Sequence, residues 1–367
     1  MMGNFDVAVI GGGVMGCSTA LYLSRNGMKT IIIDRGALCR EASGVNAGTL
    51  TLNMTRASLI PYAIKGWELW NSTEKWLLSS IGTKKVNGLS LAFTEEEEEL
   101  LSQRVQARQA MGAPIKLISG KEAQEIEPGL NNSVRSAAWC AKDGFTSAYL
   151  TGHAFRKALS QENSEVMEYS KVRGIEIVKN NFKIFLENNE DITAKRIVLA
   201  GGVWLEEMLS WLNVKIPIKC LINQLIITER MPTVMKTVLS IANGLLSLKQ
   251  FDNGTILIGG GWQGLGDKER GGVEAIPENL RGNIRLACHA IPELRSGRMV
   301  RVWLGLEAET ADALPLIGNV PGISNAYVIG SVHSGYTSGP YMGWLLSQFI
   351  MGQETDMPLF EPSRLIN

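Results

Sequence analysis

What is scarce in this chain narrows it first. No apolar run approaches the roughly 18 residues that a membrane-crossing helix needs; the longest are of strand length. Neither charge is in excess: 36 basic and 36 acidic side chains cancel to a formal net charge of zero, so neither a nucleic-acid surface nor an acidic tail is expected. Histidine is rare and scattered (153, 289, 333), and the five cysteines (17, 39, 140, 220, 288) form no C-x-x-C and no metal-ligand spacing, which argues against a metal centre. The first residues run straight into an apolar strand, without the basic region, apolar stretch and cleavage site of a secretory leader, so the cytoplasm is the expected compartment. Internal repeats, low-complexity tracts and long linkers are lacking too. With 45% hydrophobic and 20% charged residues over 367 positions, the composition is that of a globular chain long enough for two or three domains.

Against that background the N-terminus stands out. Asp6-Val7-Ala8-Val9-Ile10 leads into Gly11-Gly12-Gly13-Val14-Met15-Gly16, a helix-like stretch follows, and the run Thr30-Ile31-Ile32-Ile33 ends in Asp34, 18 residues after Gly16. Strand, glycine turn, helix, strand and acid in this order make a dinucleotide-binding fingerprint. Gly11 permits the tight turn, Gly13 lets backbone approach a pyrophosphate, and Gly16 lets helix and strand pack closely. The helix N-terminus offers unpaired N–H groups to phosphate, and Asp34 suits ribose hydroxyls. Cys17 lies in the first turn of that helix, where a thiol pKa can fall, although so small a side chain more often packs on the sheet.

Further along, Ala57 to Ser80 reads as helix, and Leu89 to Phe93 alternates as a strand. Thr94 reads as an N-cap for Glu95 to Glu99, a solvated acidic face, and Ser119-Gly120-Lys121-Glu122 is a capping box for a helix ending before Pro128. Arg196 to Ala200, followed by Gly201-Gly202-Val203-Trp204, reads as a buried parallel strand ending where ligands bind. Leu221 to Glu229 and Thr255 to Ile258 are β-like, with a hairpin turn at Asp252-Asn253-Gly254. This middle section reads as a mostly antiparallel sheet inserted into the nucleotide domain. Tyr327 to Gly330 supplies a late strand before an apolar helix over Tyr341 to Met351.

These residues, with Glu41-Ala42-Ser43-Gly44-Val45-Asn46-Ala47-Gly48, Asp143-Gly144, Trp303-Leu304-Gly305-Leu306, Asp312 to Gly318 and His333-Ser334-Gly335-Tyr336, resemble the D-amino acid oxidase superfamily of FAD-dependent amine oxidoreductases. The resemblance covers nearly the whole chain and is greatest to glycine and sarcosine oxidases and the β-subunits of heteromeric proline, hydroxyproline and opine dehydrogenases. It implies an α/β fold: a Rossmann-like FAD-binding domain (1–85, 143–216 and 304–367) with an inserted α+β substrate domain (86–142 and 217–303) on a mostly antiparallel sheet.

It also implies site residues. Gly11, Gly13, Val14, Met15 and Gly16 would hold the pyrophosphate, Asp34 and Arg35 the ribose end, and Ser43 and Gly44 the diphosphate or ribityl chain. Asn46, Ala47 and Gly48 would pass beside the flavin ring, and Val172 would meet adenine through its backbone. Ala200, Gly201, Trp204, Gly305 and Gly330 belong to the same cofactor set. Ser334, Gly335, Tyr336 and Thr337 would lie at the N1/C2 side of the ring, where N–H groups stabilise negative charge on reduced flavin.

Departures from the family pattern carry information as well. No cysteine lies beyond Cys288, so FAD is expected to be noncovalent. The stretch Phe145-Thr146-Ser147-Ala148-Tyr149 lacks the histidine that carries covalent FMN in heterotetrameric sarcosine oxidases, so any FMN at a subunit interface would also be noncovalent. Leu257 occupies the place of the lysine that helps oxygen react, which favours a dehydrogenase. Glu307 replaces the arginine of the glycine oxidase pattern W-x-G-L-R-P; a carboxylate cannot bind a carboxylate, so that anchor must move, with Arg301, Arg56 and Lys249 as candidates. Glu307 itself would either favour a cationic substrate group or pair with a base such as Arg301. On the substrate side, Glu307, Tyr336 and Arg301 are therefore the candidate catalytic residues. The expected reaction takes hydride from the carbon beside a substrate amine to flavin N5, and the imine hydrolyses to a keto acid and free amine. An opine or other N-substituted amino acid is the expected substrate, with a larger α-subunit as partner. A stand-alone oxidase and a noncatalytic flavoprotein scaffold are the alternatives.

Overall fold

The computed structural model describes residues 4–268, 272–332 and 335–366. Strand Asn4–Ile10 lies near the middle of the first sheet, flanked in parallel by Thr30–Ile33 and Asp191–Leu199. Val7 and Val9 enter one apolar core, while Phe5, Ala8 and Ile10 enter another. An apolar side chain at every step is what a parallel strand covered on both faces requires. Outward from this centre, Ser164–Met167 and Ala326–Gly330 extend the parallel register, and Leu316–Asn319 adds an antiparallel edge. The hairpin Val172–Val178 and Asn181–Leu186 attaches to Asp191–Leu199. Helices Val14–Arg25 and Gly339–Ile350 cover one face in close contact, since a Cβ at Gly343 would fall 2.5 Å from Cβ of Ser18.

The second sheet runs in the order Met299–Glu309, Lys219–Thr228, Ile256–Gly259, Ser247–Gln250, Val238–Ile241, Lys84–Ala92, Ser136–Phe145 and Thr49–Leu50, with Ile115–Ser119 beside Ser136–Phe145. Every pairing is antiparallel except that of Val238–Ile241 with Lys84–Ala92. The molecule is thus an α/β fold that combines a mostly parallel nucleotide-type sheet with a mostly antiparallel one.

Local chemistry explains most of the elements. Thr94 Oγ1 accepts the N–H of Glu97 at 3.2 Å and starts the helix Glu95–Ala110, and both halves of the capping box at Ser119 are made. Gly254, at φ +85°, turns Ser247–Gln250 into Ile256–Gly259. The segment read as one helix over 57–80 instead breaks into Ala57–Leu59, Ile60–Trp70 and Thr73–Trp76. Asn71 and Ser72 end the main helix by donating to the carbonyls of Trp67, Glu68 and Leu69, a local alternative to helix continuation. The strand read from Leu89 begins earlier, at Lys84, and Leu89 to Ala92 are buried in succession because both faces are covered.

Candidate active site

At the carboxyl end of Asn4–Ile10 the chain turns at Gly11, φ +113°, where a Cβ would lie 2.3 Å from the Ala200 carbonyl oxygen. Only glycine fits. The following helix starts at Val14 with no cap from its N-cap residue Gly13 and no acid in its first turn. Its N-terminal dipole therefore faces an elongated groove of about 200 Å³. Lining this groove are Gly11, Gly13, Val14, Met15, Gly16, Asp34, Arg35, Ser43, Asn46, Val172, Ala200, Gly201, Trp204, Gly330, Gly335 and Tyr336. Ser43 Oγ accepts the Val14 N–H at 3.0 Å. Asp34 accepts from Gly12 at 2.6 Å and from Gly36 at 2.7 Å, so it braces the turn as well as facing the groove. Burial pushes its pKa up, against the pull of those two N–H groups. The Arg35 guanidinium stacks 3.5 Å from the ring centre of Trp204 and pairs with Glu41 at 3.3 Å.

The two loop glycines come out differently from expectation. Gly44 and Gly48 are enclosed by backbone, their notional Cβ atoms 1.9 Å from the Cys39 oxygen and 2.1 Å from the Thr146 oxygen. They shape the loop and line neither cavity. Cys17 is buried with Sγ donating to the Gly12 carbonyl at 3.2 Å, and burial raises its pKa, so it packs rather than reacts. Ser334 and His333 lie outside the described residues.

The residues present fit a dinucleotide. The N-cap Gly13 has no side chain to cap the helix, the groove wall is glycine backbone, and the Ser331 hydroxyl is buried beside it with no hydrogen-bond partner among the described residues.

A second cavity of about 260 Å³ adjoins the groove, and the two share Ala42, Asn46, Leu306, Glu307 and Tyr336. Ala47, Gly305 and Thr337 also line it. Glu307 Oε2 accepts from Asn223 Nδ2 at 2.5 Å, and Asn223 Oδ1 accepts from Gln263 Nε2 at 2.6 Å, so a polar chain fixes the carboxylate where the cavities meet. Arg301 does not join it. Six residues earlier on the same strand, at roughly 3.3 Å per residue, it is far from Glu307, exposed, and in neither lining. Tyr336 borders both cavities, but its phenol belongs to the core: its ring stacks on Trp70 at 4.7 Å, its hydroxyl meets Thr151 Oγ1 at 2.7 Å, and burial drives its pKa well up. Neither Arg301 nor the Tyr336 phenol is placed to act on a substrate.

The other anchor candidates are engaged elsewhere. Arg56 pairs with Glu309 at 3.2 Å. Lys249 is fully buried outside both linings, with Nζ donating to Thr49 Oγ1 at 2.5 Å, and desolvation lowers its pKa to about 7. Leu257 is its cross-strand partner, so both side chains lie on one face of the sheet. The neighbouring strand thus places an amine beside the position of the missing lysine, and Leu257 alone no longer argues for a dehydrogenase. Sequence reasoning missed Arg104 and Arg108, which do line the second cavity, together with Asn53 and Ser240.

The sequence profile of the FAD dependent oxidoreductase family, DAO, matches residues 6–349. The chain belongs to this family. It is 25% identical over 381 residues to one of the subunits of an opine oxidase of Rhizobium meliloti, covering 99% of this chain and 98% of the relative. To glycine oxidase of Geobacillus kaustophilus it is 24% identical, over 98% of this chain and 96% of the relative. The crystal structure of a glycine oxidase from that organism superposes with a TM-score of 0.89 at 22% identity, covering 99% of this chain and all of that one. L-proline dehydrogenase from P. horikoshii superposes with a TM-score of 0.90 at 24% identity, covering 99% and 98%. Among the described residues no helix is long and apolar enough to cross a membrane.

Proposed function

We propose that this chain is the catalytic subunit of a heteromeric amine dehydrogenase that oxidises the C–N bond of an N-substituted, opine-like amino acid. One observation carries the reading: Glu307 borders both the dinucleotide groove and the adjoining cavity, held there by Asn223 and Gln263. Full-length similarity to one of the subunits of an opine oxidase supports both the substrate class and a partner chain. Noncovalent FAD, held by the groove residues, would supply a hydride acceptor for the carbon next to the substrate nitrogen. FMN at a subunit interface is part of the same proposal.

The chain's own task is placement. The Glu307 carboxylate attracts a basic portion of the substrate to the mouth between the cavities, and the Asn223 amide keeps one of its oxygens oriented. Apolar walls at Val45, Leu225 and Leu306 limit water around the reacting carbon. The imine released by oxidation hydrolyses to a keto acid and an amine. With Glu307→Gln we expect KM for a guanidinium-bearing opine to rise about tenfold, the worth of one charge-assisted contact, while KM for an uncharged N-alkyl amino acid stays put. Equal responses of the two substrates would remove the role of Glu307. Efficient turnover of glycine by the isolated chain with oxygen alone would favour a stand-alone oxidase.

A further inference from the structure

The second cavity is lined by two cations that form no ion pair among the described residues. Arg104 and Arg108 lie four residues apart on helix Glu95–Ala110, on one side of it. Arg108 is 8% exposed; its Nε donates to the Thr55 carbonyl at 2.8 Å, and its two terminal nitrogens have no partner among the described residues. Arg104 donates to the Ala242 carbonyl. Neither forms an ion pair there, and burial together with the neighbouring Arg104 charge lowers the Arg108 pKa to about 10. Asp143 supplies a favourable field to Arg108 but uses its own oxygens on Thr51 and Leu52.

Two more side chains in the same wall are unsatisfied. Asn53 Oδ1 and Ser240 Oγ are buried, at 3% and 1% exposure, with no hydrogen-bond partner among the described residues. Like charges at this spacing and orphaned polar atoms both cost free energy. An anion beside the two arginines would offset their like charge, and a ligand that also carries an N–H would serve the Asn53 acceptor.

We propose that Arg108, assisted by Arg104, is the carboxylate anchor of the substrate cavity. The two terminal nitrogens of Arg108 suit a planar carboxylate bidentately. Ser240 can donate to the same group, and Asn53 Oδ1 can accept an N–H from the ligand. Glu307 takes the opposite polarity where the cavity meets the groove. A substrate is therefore aligned with its anionic end toward the helix and its basic end toward Glu307. This inference rests on the amine oxidoreductase reading for the identity of the substrate, though not for the existence of the anion site.

The test is calorimetric titration of FAD-loaded protein with benzoate, an inert planar carboxylate, and with benzamide, its uncharged counterpart. Benzoate should bind and benzamide should not. Arg108→Gln should weaken benzoate roughly tenfold to a hundredfold, the range for a hydrogen bond to a charged group. Arg108→Lys, which keeps the charge and loses the fork, should fall between, Arg104→Gln should cost a few-fold, and Arg301→Gln nothing. Should Arg108→Gln fail to fold, as judged by flavin absorbance, the Arg108→Lys and Arg104→Gln series decides alone. The proposal fails if wild type shows no preference for benzoate, or if these variants bind it as wild type does. The functional reading is scored separately, by anaerobic bleaching of the flavin with amines. Bleaching without Arg108-dependent benzoate binding overturns only the anchor; benzoate binding without bleaching by any amine overturns only the amine reading.

Discussion

The groove and the cavity beside it are built in different ways. Groove contacts come largely from backbone: glycines at 11, 13 and 16, the helix start at Val14, and strand ends at Ala200 and Gly330. The cavity's polar character comes from side chains, Asn53, Arg104, Arg108, Asn223, Ser240 and Glu307, gathered from a loop, a helix and three strands. Backbone contacts depend on a few residues that must be glycine. Side-chain contacts can be exchanged one at a time while the fold stands.

The sharpest way to break this contrast is Gly16→Val. A Cβ there would lie 2.1 Å from the Gly11 oxygen, and a backbone clash at a helix–strand contact cannot be relieved by a rotamer change. Protein recovered colourless, or insoluble, is the expected result, with a loss of more than about 3 kcal/mol. A full flavin spectrum would show that the groove tolerates side chains after all.

Lys249 probes the other region's framework. Its folded pKa of about 7 lies below the unfolded value, so the unfolded chain binds more protons between roughly pH 7 and 10.5, and stability rises with pH across that window. Below about pH 7 both states carry the charge and this contribution to the slope ends. Lys249→Met should abolish that rise and stabilise the protein at pH 7 by an amount on the order of 3 kcal/mol. Denaturant midpoints of the two proteins at pH 7 and pH 10 measure it; parallel pH profiles would show that the amine is not buried as a strained cation. The smallest effect is expected outside both regions. Ser119→Ala removes a capping box and should cost about 1 kcal/mol, with flavin content and benzoate affinity unchanged.

The same contrast explains what could be read from the sequence. The groove was legible because glycine turn, helix start and acid follow one another within 34 residues. The two-sheet architecture was legible from apolar runs and turn residues, and Thr94 and Ser119 announced their helices. The continuous helix over 57–80 failed because Asn71 and Ser72 compete for backbone carbonyls, which apolar spacing does not register. Arg301 failed because proximity in sequence to Glu307 becomes separation along an extended strand. Arg108 did leave a trace: with Leu101 and Val105 it falls on the buried stripe of its helix. A charge on an apolar stripe marks a polar cavity more reliably than a charge that merely lies near a motif.

The pairing pattern of the first sheet constrains the order in which the protein is made. Asn4 pairs with Thr193, and Ile197 in that second strand pairs with Ala326. A nascent chain therefore synthesises its glycine turn long before the strands that wall the groove exist. The antiparallel sheet has its last strand, Met299–Glu309, before Ala326–Gly330 emerges. Such distant pairings fold slowly, and the early strand waits with exposed edges. Flavin loading becomes a late event after most of the chain has been translated, and a shortage of flavin would leave its mark on the yield of finished protein more than on the rate of elongation.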